Sequence, residues 1–491
     1  MTRFQANTRV SRRWALLAVG LVCLAFALKA LLLIDATSLW SDELYSVGKS
    51  FQPDFAALLA LLRQDTHPPL YYSLLWLWGG LLGQTPLSLR LLSWLAYGLG
   101  AGVMVAQAAA LAPKDRRDKS MVLAALLAFC SPYPVRFAVE GKSYALLVLL
   151  VALGWWWRRR RWLPGYALAV AAAAFTHFYG LFVFAAAVVW DGWRRRWGLM
   201  ATAAVALLPA LAWIGYASAY LLSSRSGSWI GTPGFALLEE TLARALGPWP
   251  LPKLGLLLLV WVAVRRWGLD PAGSDGLAAG RLRLLDASGL IPSALMVVGV
   301  VGLSFAKPMA FSRYFVVLVP ALIPWLAVQG ARVTLNRRGQ ATTLAAIALL
   351  LTLWWQQAYL GVGPQLGGGR ESDNFRAISQ LTSGASARYA PRPRLLNLSD
   401  RMELATGRLP APVVRWQGAD GLKRHLQAWP QLPDPTMVLA ASGPEAIIKR
   451  RLKSMQQQVE SAGLVCRPMK EAPLFTRILR CRSTTTSLDA R

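Results

Sequence analysis

Acidic side chains are scarce in this chain. Only 24 of its 491 residues are Asp or Glu, against 53 Lys or Arg, leaving a formal net charge of +29. A soluble chain of this length carries more charge overall and splits into a few domains, so that class is excluded. Histidine is rarer still, at three, and the four cysteines form no metal-binding spacing, so no cofactor is expected and a divalent metal is not indicated, Asp65 and His67 being only two candidate ligands. Cys23 and Cys130 fall in apolar runs and read as small core residues. Cys466 and Cys481 fall in a polar tail; outside the cytoplasm they could pair, and two separate thiols are the alternative. Absent too are a Gly-rich nucleotide loop, an internal repeat and a long low-complexity segment. The basic excess sits in short clusters between apolar runs, at Arg12-Arg13, 158–161, 194–196, 265–266 and 337–338. That pattern fits cytoplasmic loops and attraction to anionic lipid, not nucleic acid.

What is abundant is apolar. The chain is 55% hydrophobic with 22 Trp. Runs of roughly 18–25 apolar residues recur, each long enough to cross a bilayer. The first lacks a small-residue cleavage site and reads as an anchor. Arg3, Arg9, Arg12 and Arg13 put the N-terminus inside. If the segment at 68–83 spans, every later Arg cluster flips outside. It is slightly short and opens with Pro68-Pro69, so it is expected to lie at the membrane surface. About eleven spans then follow the charge rule: 14–34, 88–112, 120–138, 143–157, 162–177, 178–193, 197–217, 251–265, 286–306, 313–330 and 340–360. Residues 1–360 form an all-α membrane domain on this reading. Residues 361–491 form a small α/β domain outside the cytoplasm, with strands at 437–442 and 474–482 and a basic amphipathic helix at 444–462.

The conspicuous polar residues fall in the outer loops of this topology. Asp42 and Glu43 stand in LWSDELYS, where one carboxylate would serve as a general base or the pair would cap a helix. Asp65 and His67 precede the Pro pair, two apart, so in extended chain they share a face. Glu140, Lys142 and Tyr144 cluster at the outer end of a span, fit for a charged headgroup or for an interfacial belt. Arg313 and Tyr314 open another span from the outside, where a phosphate is an economical partner for Arg and snorkelling to lipid is the plainer one. His177 ends a further span on that side. The loop at 226–247 has a Gly/Pro hinge and an amphipathic stretch, either a lid or an interfacial helix.

Five segments in order, LWSDELYS, DTHPPLYYSLLWLW, SPYPVRFAVEGKSYALL, FTHFYGLFV and SRYFVVLVPAL, resemble the bacterial GT-C glycosyltransferases, the protein-mannosyltransferase-like enzymes related to the aminoarabinose transferase of lipid A. The likeness covers roughly residues 14–330; the tail resembles nothing we can name. It implies a bundle of many spans with a long first outer loop carrying juxtamembrane helices. It implies a sugar donor on polyprenyl phosphate, a lipid, glycan or protein acceptor, and transfer with inversion on the outer face of a bacterial plasma membrane. Asp42 then matches the acidic residue of the first loop with Glu43 adjacent, Asp65 and His67 an acidic and a basic residue before the Pro pair, and Glu140 the acid of the second motif. Relatives commonly read Gln-Glu-x-Arg-x-Tyr where this chain has Val139, Gly141 and Lys142. Lys meets a phosphate as a point charge, without the bidentate fork of Arg. A transporter or flippase of a lipid-linked anion is the rival class. It would want charges deep inside spans and broken helices in paired halves, and the sequence shows neither. A non-catalytic partner that binds through the tail is a third.

Overall fold

The computed structural model describes residues 12–35, 37–223, 229–246, 275–332, 374–385, 387–410, 415–428, 437–443, 445–473 and 475–483. The spans expected at 251–265 and 340–360 lie outside the described residues. The chain divides into two compact units, one of 1–33, 53–75 and 90–360, the other of 34–52, 76–89 and 361–491.

The helices in chain order are α1 (Arg12–Leu33), α2 (Ser41–Ser50), α3 (Phe55–Leu62), α4 (Leu70–Leu82), α5 (Pro86–Leu111), α6 (Arg117–Cys130), α7 (Pro132–Arg136), α8 (Tyr144–Arg160), α9 (Leu163–Thr176), α10 (Phe178–Trp193), α11 (Trp197–Tyr216), α12 (Ser218–Leu221), α13 (Phe235–Leu246), α14 (Asp275–Ala287), α15 (Leu290–Leu303) and α16 (Val319–Ala331). A tight 3-10 segment, Ser312–Leu318, leads into α16. Among the described residues four stretches are long and apolar enough to cross a membrane: Arg12–Leu32, Pro86–Leu111, Trp197–Tyr216 and Ser312–Ala331. Two bent pairs would make six. Leucines on α1 such as Leu17, Leu21 and Leu28 are exposed, as a lipid-facing helix requires. The segment after Pro68-Pro69 becomes α4, 13 residues long. At 1.5 Å per residue it covers about 20 Å, short of the roughly 30 Å hydrocarbon core.

Two expected spans are broken. The stretch at 120–138 ends its helix at Cys130, because Pro132 and Pro134 cannot continue it, and a second helical piece bends away by 48°. The stretch at 286–306 turns by 69° at Ser288-Gly289. Gly289 has φ of +86°, and a Cβ there would stand 2.3 Å from the Trp155 ring, so only glycine fits. Helices α8, α9, α10 and α11 pack as neighbours around a core of Val151, Trp155, Tyr166, Val170 and Phe184.

That core ends in a buried charge network. Arg158 grips Asp191 with two bonds, Nε to Oδ2 at 2.8 Å and Nη2 to Oδ1 at 2.6 Å. Its Nη2 also reaches Asp286 Oδ1 at 3.0 Å. Arg196 donates to both carboxylates, and Trp190 Nε1 donates to Asp286 at 2.8 Å. One member of each of the Arg clusters at 158–161 and 194–196 closes this network.

In the second unit the tail forms α17 (Phe375–Leu381), α18 (Pro393–Ala405), α19 (Ala419–Ala428) and α20 (Glu445–Ser461), with strands β1 (Ala387–Tyr389), β2 (Met437–Ser442), β3 (Leu464–Pro468) and β4 (Thr476–Ser483). The sheet order is β1-β2-β4-β3, with β1 parallel to β2 and the other pairs antiparallel. Strand β2 is buried throughout, as its unbroken apolar run requires. Ile448, Leu452, Met455 and Val459 of α20 cover the sheet at helical spacing. Cys466 and Cys481 face each other in the β3–β4 register and form a disulfide. Arg376 ties the first loop to the tail inside this unit: Nη2 meets Asp35 Oδ1 at 2.8 Å and Nε meets Glu403 Oε1 at 2.7 Å.

Candidate active site

In the first unit the polar loop ends gather around one cavity of about 280 Å³. Its polar lining comes from His67, His177, Tyr179, Lys307 and Tyr314; Phe178, Phe182, Ile214 and Trp229 contribute to an apolar wall.

His67 is held by Asp65. The carboxylate Oδ1 accepts the His67 backbone N–H at 3.1 Å and faces Nδ1 at 2.7 Å, with both side chains mostly buried. That contact assigns a proton to Nδ1. The face shared by residues two apart is realised here as one carboxylate clamping one imidazole. His177 is the N-cap of α10. Its Nδ1 accepts the Tyr179 N–H at 3.1 Å, so in the neutral ring Nε2 carries the hydrogen and donates. The two imidazoles stand edge to face, with centroids 6.0 Å apart.

Aromatic rings fix this pair from behind. Tyr314 packs on His177 at 4.9 Å and on Tyr179 at 5.1 Å. Tyr144, in the first turn of α8, packs on His177 at 5.8 Å. Tyr179 Oη donates to the Met309 carbonyl at 3.0 Å, and the Lys307 ammonium donates to the Leu221 carbonyl. Lys142 and Glu140 sit in the turn just before α8 and are buried, with the Lys142 N–H on the Glu140 carbonyl at 2.7 Å and the Ser93 hydroxyl on the Lys142 carbonyl at 3.3 Å. Lys142 lies in electrostatic range of the His177 ring.

Arg313 is buried with its guanidinium over the Phe311 ring at 5.2 Å. Arg313 thus finds an aromatic partner inside the protein, a cation–π contact besides the lipid and phosphate partners considered from sequence. Arg244 of α13 lies over the same ring at 5.7 Å and donates to Ser312 Oγ at 2.6 Å. Sequence reading passed over Arg244; its only local signal is Glu240 one turn earlier, to which it pairs at 2.6 Å. The amphipathic stretch of the 226–247 loop is accordingly α13, pinned to the Ser312–Leu318 segment; residues 226–228 and 247 lie outside the described residues.

Asp42 and Glu43 belong to the second unit, in the first turn of α2. Glu43 is fully buried and accepts the Trp40 N–H at 3.3 Å, the capping geometry considered above. Both charges favour the helix N-terminus they occupy.

Against solved structures, the chain matches the crystal structure of ArnT from Cupriavidus metallidurans bound to undecaprenyl phosphate, with a TM-score of 0.55 and 14% identity, over 98% of this chain and all of that one. The apo structure of the same enzyme matches with a TM-score of 0.53 and 14% identity, over 95% and 97%. No family model matches, and no curated protein matches by sequence. The chain therefore shares the fold of these ArnT structures, and the resemblance drawn from the five motifs holds at the level of fold. The match also extends over the tail, which the motifs did not cover.

Proposed function

We propose that this protein is an integral membrane glycosyltransferase that moves a sugar from a polyprenyl-phosphate donor to a hydroxyl or phosphate on the outer face of a bacterial plasma membrane. One observation carries this reading. In a fold shared with a protein crystallised on undecaprenyl phosphate, one cavity joins an apolar wall to His67, His177, Lys307 and Tyr314. A lipid phosphate needs that combination: an apolar surface for the chain, and donors for the head.

In the proposed reaction the acceptor O–H gives its proton to the Asp42 carboxylate. Its oxygen bonds to the anomeric carbon from the face opposite the lipid. The bond from that carbon to the phosphate oxygen breaks, and polyprenyl phosphate leaves with the electron pair. His177 Nε2–H, His67 in its imidazolium form beside Asp65, and Lys142 and Arg313 stabilise the charge that grows on the phosphate. Glu140 orients this basic group through the turn it shares with Lys142, and Tyr144 and Tyr314 fix the rings. Glu43 holds the Asp42 turn by its bond to Trp40. The disulfide between Cys466 and Cys481 supports an oxidising location for the tail, and with it an N-terminus inside and a domain outside beyond residue 360.

The test uses purified protein in nanodiscs with a panel of labelled sugars on undecaprenyl phosphate and envelope extract as acceptor. Asp42→Asn abolishes transfer while undecaprenyl-phosphate binding persists. Near-normal turnover of Asp42→Asn with a working donor takes the base role from Asp42; no turnover of any donor by the unmodified protein sinks the enzyme reading.

A further inference from the structure

The second unit carries an open groove of about 920 Å³ that the reaction above does not use. Its charged lining is Arg394 from the first turn of α18, Arg415 from the loop before α19, and Asp420 and Arg424 on α19. Three guanidinium groups against one carboxylate give it a net positive charge. Gln417 adds an exposed amide to the lining. Trp416 forms part of the wall and is itself buried, its ring carrying Arg388 at 4.5 Å and its backbone bonded to both ends of the Asn397 amide at 3.0 and 3.2 Å. The scaffold under the arginines is therefore rigid.

The groove also abuts α2. A Cβ placed on Gly48 would stand 3.1 Å from Leu398 Cδ1 and 3.4 Å from Arg394 Nη2, and both of those residues line the groove. Arg394 is thus laid against α2 beside Gly48. Asp42 lies six positions earlier on the same helix, about 9 Å along its axis.

Chemistry narrows the occupant. Guanidinium forks match phosphate and carboxylate oxygens. The volume is at the upper end of that taken by small organic ligands and far exceeds a lone phosphate. A polar wall suits hydroxyl groups. We propose that this groove binds an acidic saccharide, a sugar bearing phosphate or carboxylate groups, and holds it beside α2. That the bound sugar is the acceptor of the Asp42 reaction rests on the transferase reading; the binding itself does not.

Binding is measured on the full-length protein in nanodiscs of zwitterionic lipid, by calorimetry with glucose 1,6-bisphosphate, glucuronate, glucose and inorganic phosphate as probes. The bisphosphate is expected to bind saturably, more weakly at high salt, with glucuronate weaker and glucose undetectable. Arg415→Ala and Arg424→Ala each lower its affinity about tenfold or more, the effect of one charged hydrogen-bonding group. Arg467→Ala, on an exposed position of β3, leaves it unchanged. All three variants keep the parent's thermal unfolding temperature. Equal loss in Arg467→Ala, or none in the groove variants, overturns the proposal. So does inorganic phosphate binding as tightly as the bisphosphate, which would make this a phosphate site, or displacement of the sugar by phosphatidylglycerol in the disc, which would make it a lipid headgroup site. The transfer assay is scored separately. Bisphosphate binding without any turnover keeps the groove and removes the enzyme reading; turnover without binding does the reverse.

Discussion

At the Arg158 end of α8, two arginines and two aspartates satisfy one another in a buried network. At the Tyr144 end, about 21 Å away along the same helix, histidines, a lysine and tyrosines line or back a cavity. Both ends are rich in ionisable groups, and at the Tyr144 end they border a cavity of about 280 Å³. Charges that hold a bundle together are matched in number and joined bidentately. At the other end one carboxylate, Asp65, holds one imidazole, His67, which lines the cavity.

The comparison breaks most readily at the network. Arg158→Ala is expected to cost about 3–5 kcal/mol of stability by leaving Asp191 buried without its main partner. Thermal unfolding in detergent reads this, and an Arg158→Met, Asp191→Leu double variant recovers most of the loss. A double variant no better than the single one would mean that the charges do more than neutralise each other. At the other end the expected effect is on ligand, not on folding. His67→Ala should lower transfer about 10²–10³-fold, the scale of one lost transition-state donor, and weaken undecaprenyl-phosphate binding with an unchanged unfolding temperature. Asp65→Asn should follow in the same direction with a smaller loss. A fall in stability equal to that of Arg158→Ala would place His67 with the structural charges.

The second unit supplies two smaller tests. Reducing the Cys466–Cys481 disulfide opens a loop of sequence separation 15, and removes about 2–3 kcal/mol from that domain in the chain-entropy picture. After reduction, a membrane-impermeant thiol reagent should label Cys466, the partly exposed partner, in intact spheroplasts; labelling only after lysis would reverse the proposed topology. The smallest effect is on acid stability. Burial by itself would raise the Asp35 carboxyl, but hydrogen bonds and charge from Arg408 and Arg376 outweigh it and hold the pKa below the usual 3.8. A group depressed in the folded state stabilises it above its unfolded value and loses that contribution as the pH falls through the folded one. The chain should therefore lose stability below about pH 4, and Asp35→Asn should flatten that part of the unfolding-versus-pH curve. An unchanged curve would show that this pairing contributes nothing.

Some of this was legible residue by residue. Apolar run length picked out α1, α5 and α11. Pro68-Pro69 and the charge rule demoted α4. The unbroken apolar run 437–442 marked β2, and the helical period after it marked α20. Loop residues His67, His177 and Tyr314, which line the cavity, stand out in the sequence because ionisable groups at the ends of apolar runs need a reason to be there. Strand β3 went unread, since Leu464–Pro468 is half exposed and carries little apolar pattern, and the bends at Pro132 and Gly289 broke runs that hydropathy joins.

Hydropathy and charge order are local quantities, so they act through bilayer thickness and the positive-inside bias with no knowledge of contacts. Partners are different. Arg376 meets Asp35 across 341 positions and Arg158 meets Asp286 across 128. A guanidinium carries no mark of which carboxylate it will find, because loop closure over such distances costs only logarithmically with length and packing, not proximity along the chain, selects the pair. The membrane-spanning character could be read from one dimension; which charges pair with which was settled only when the helices met.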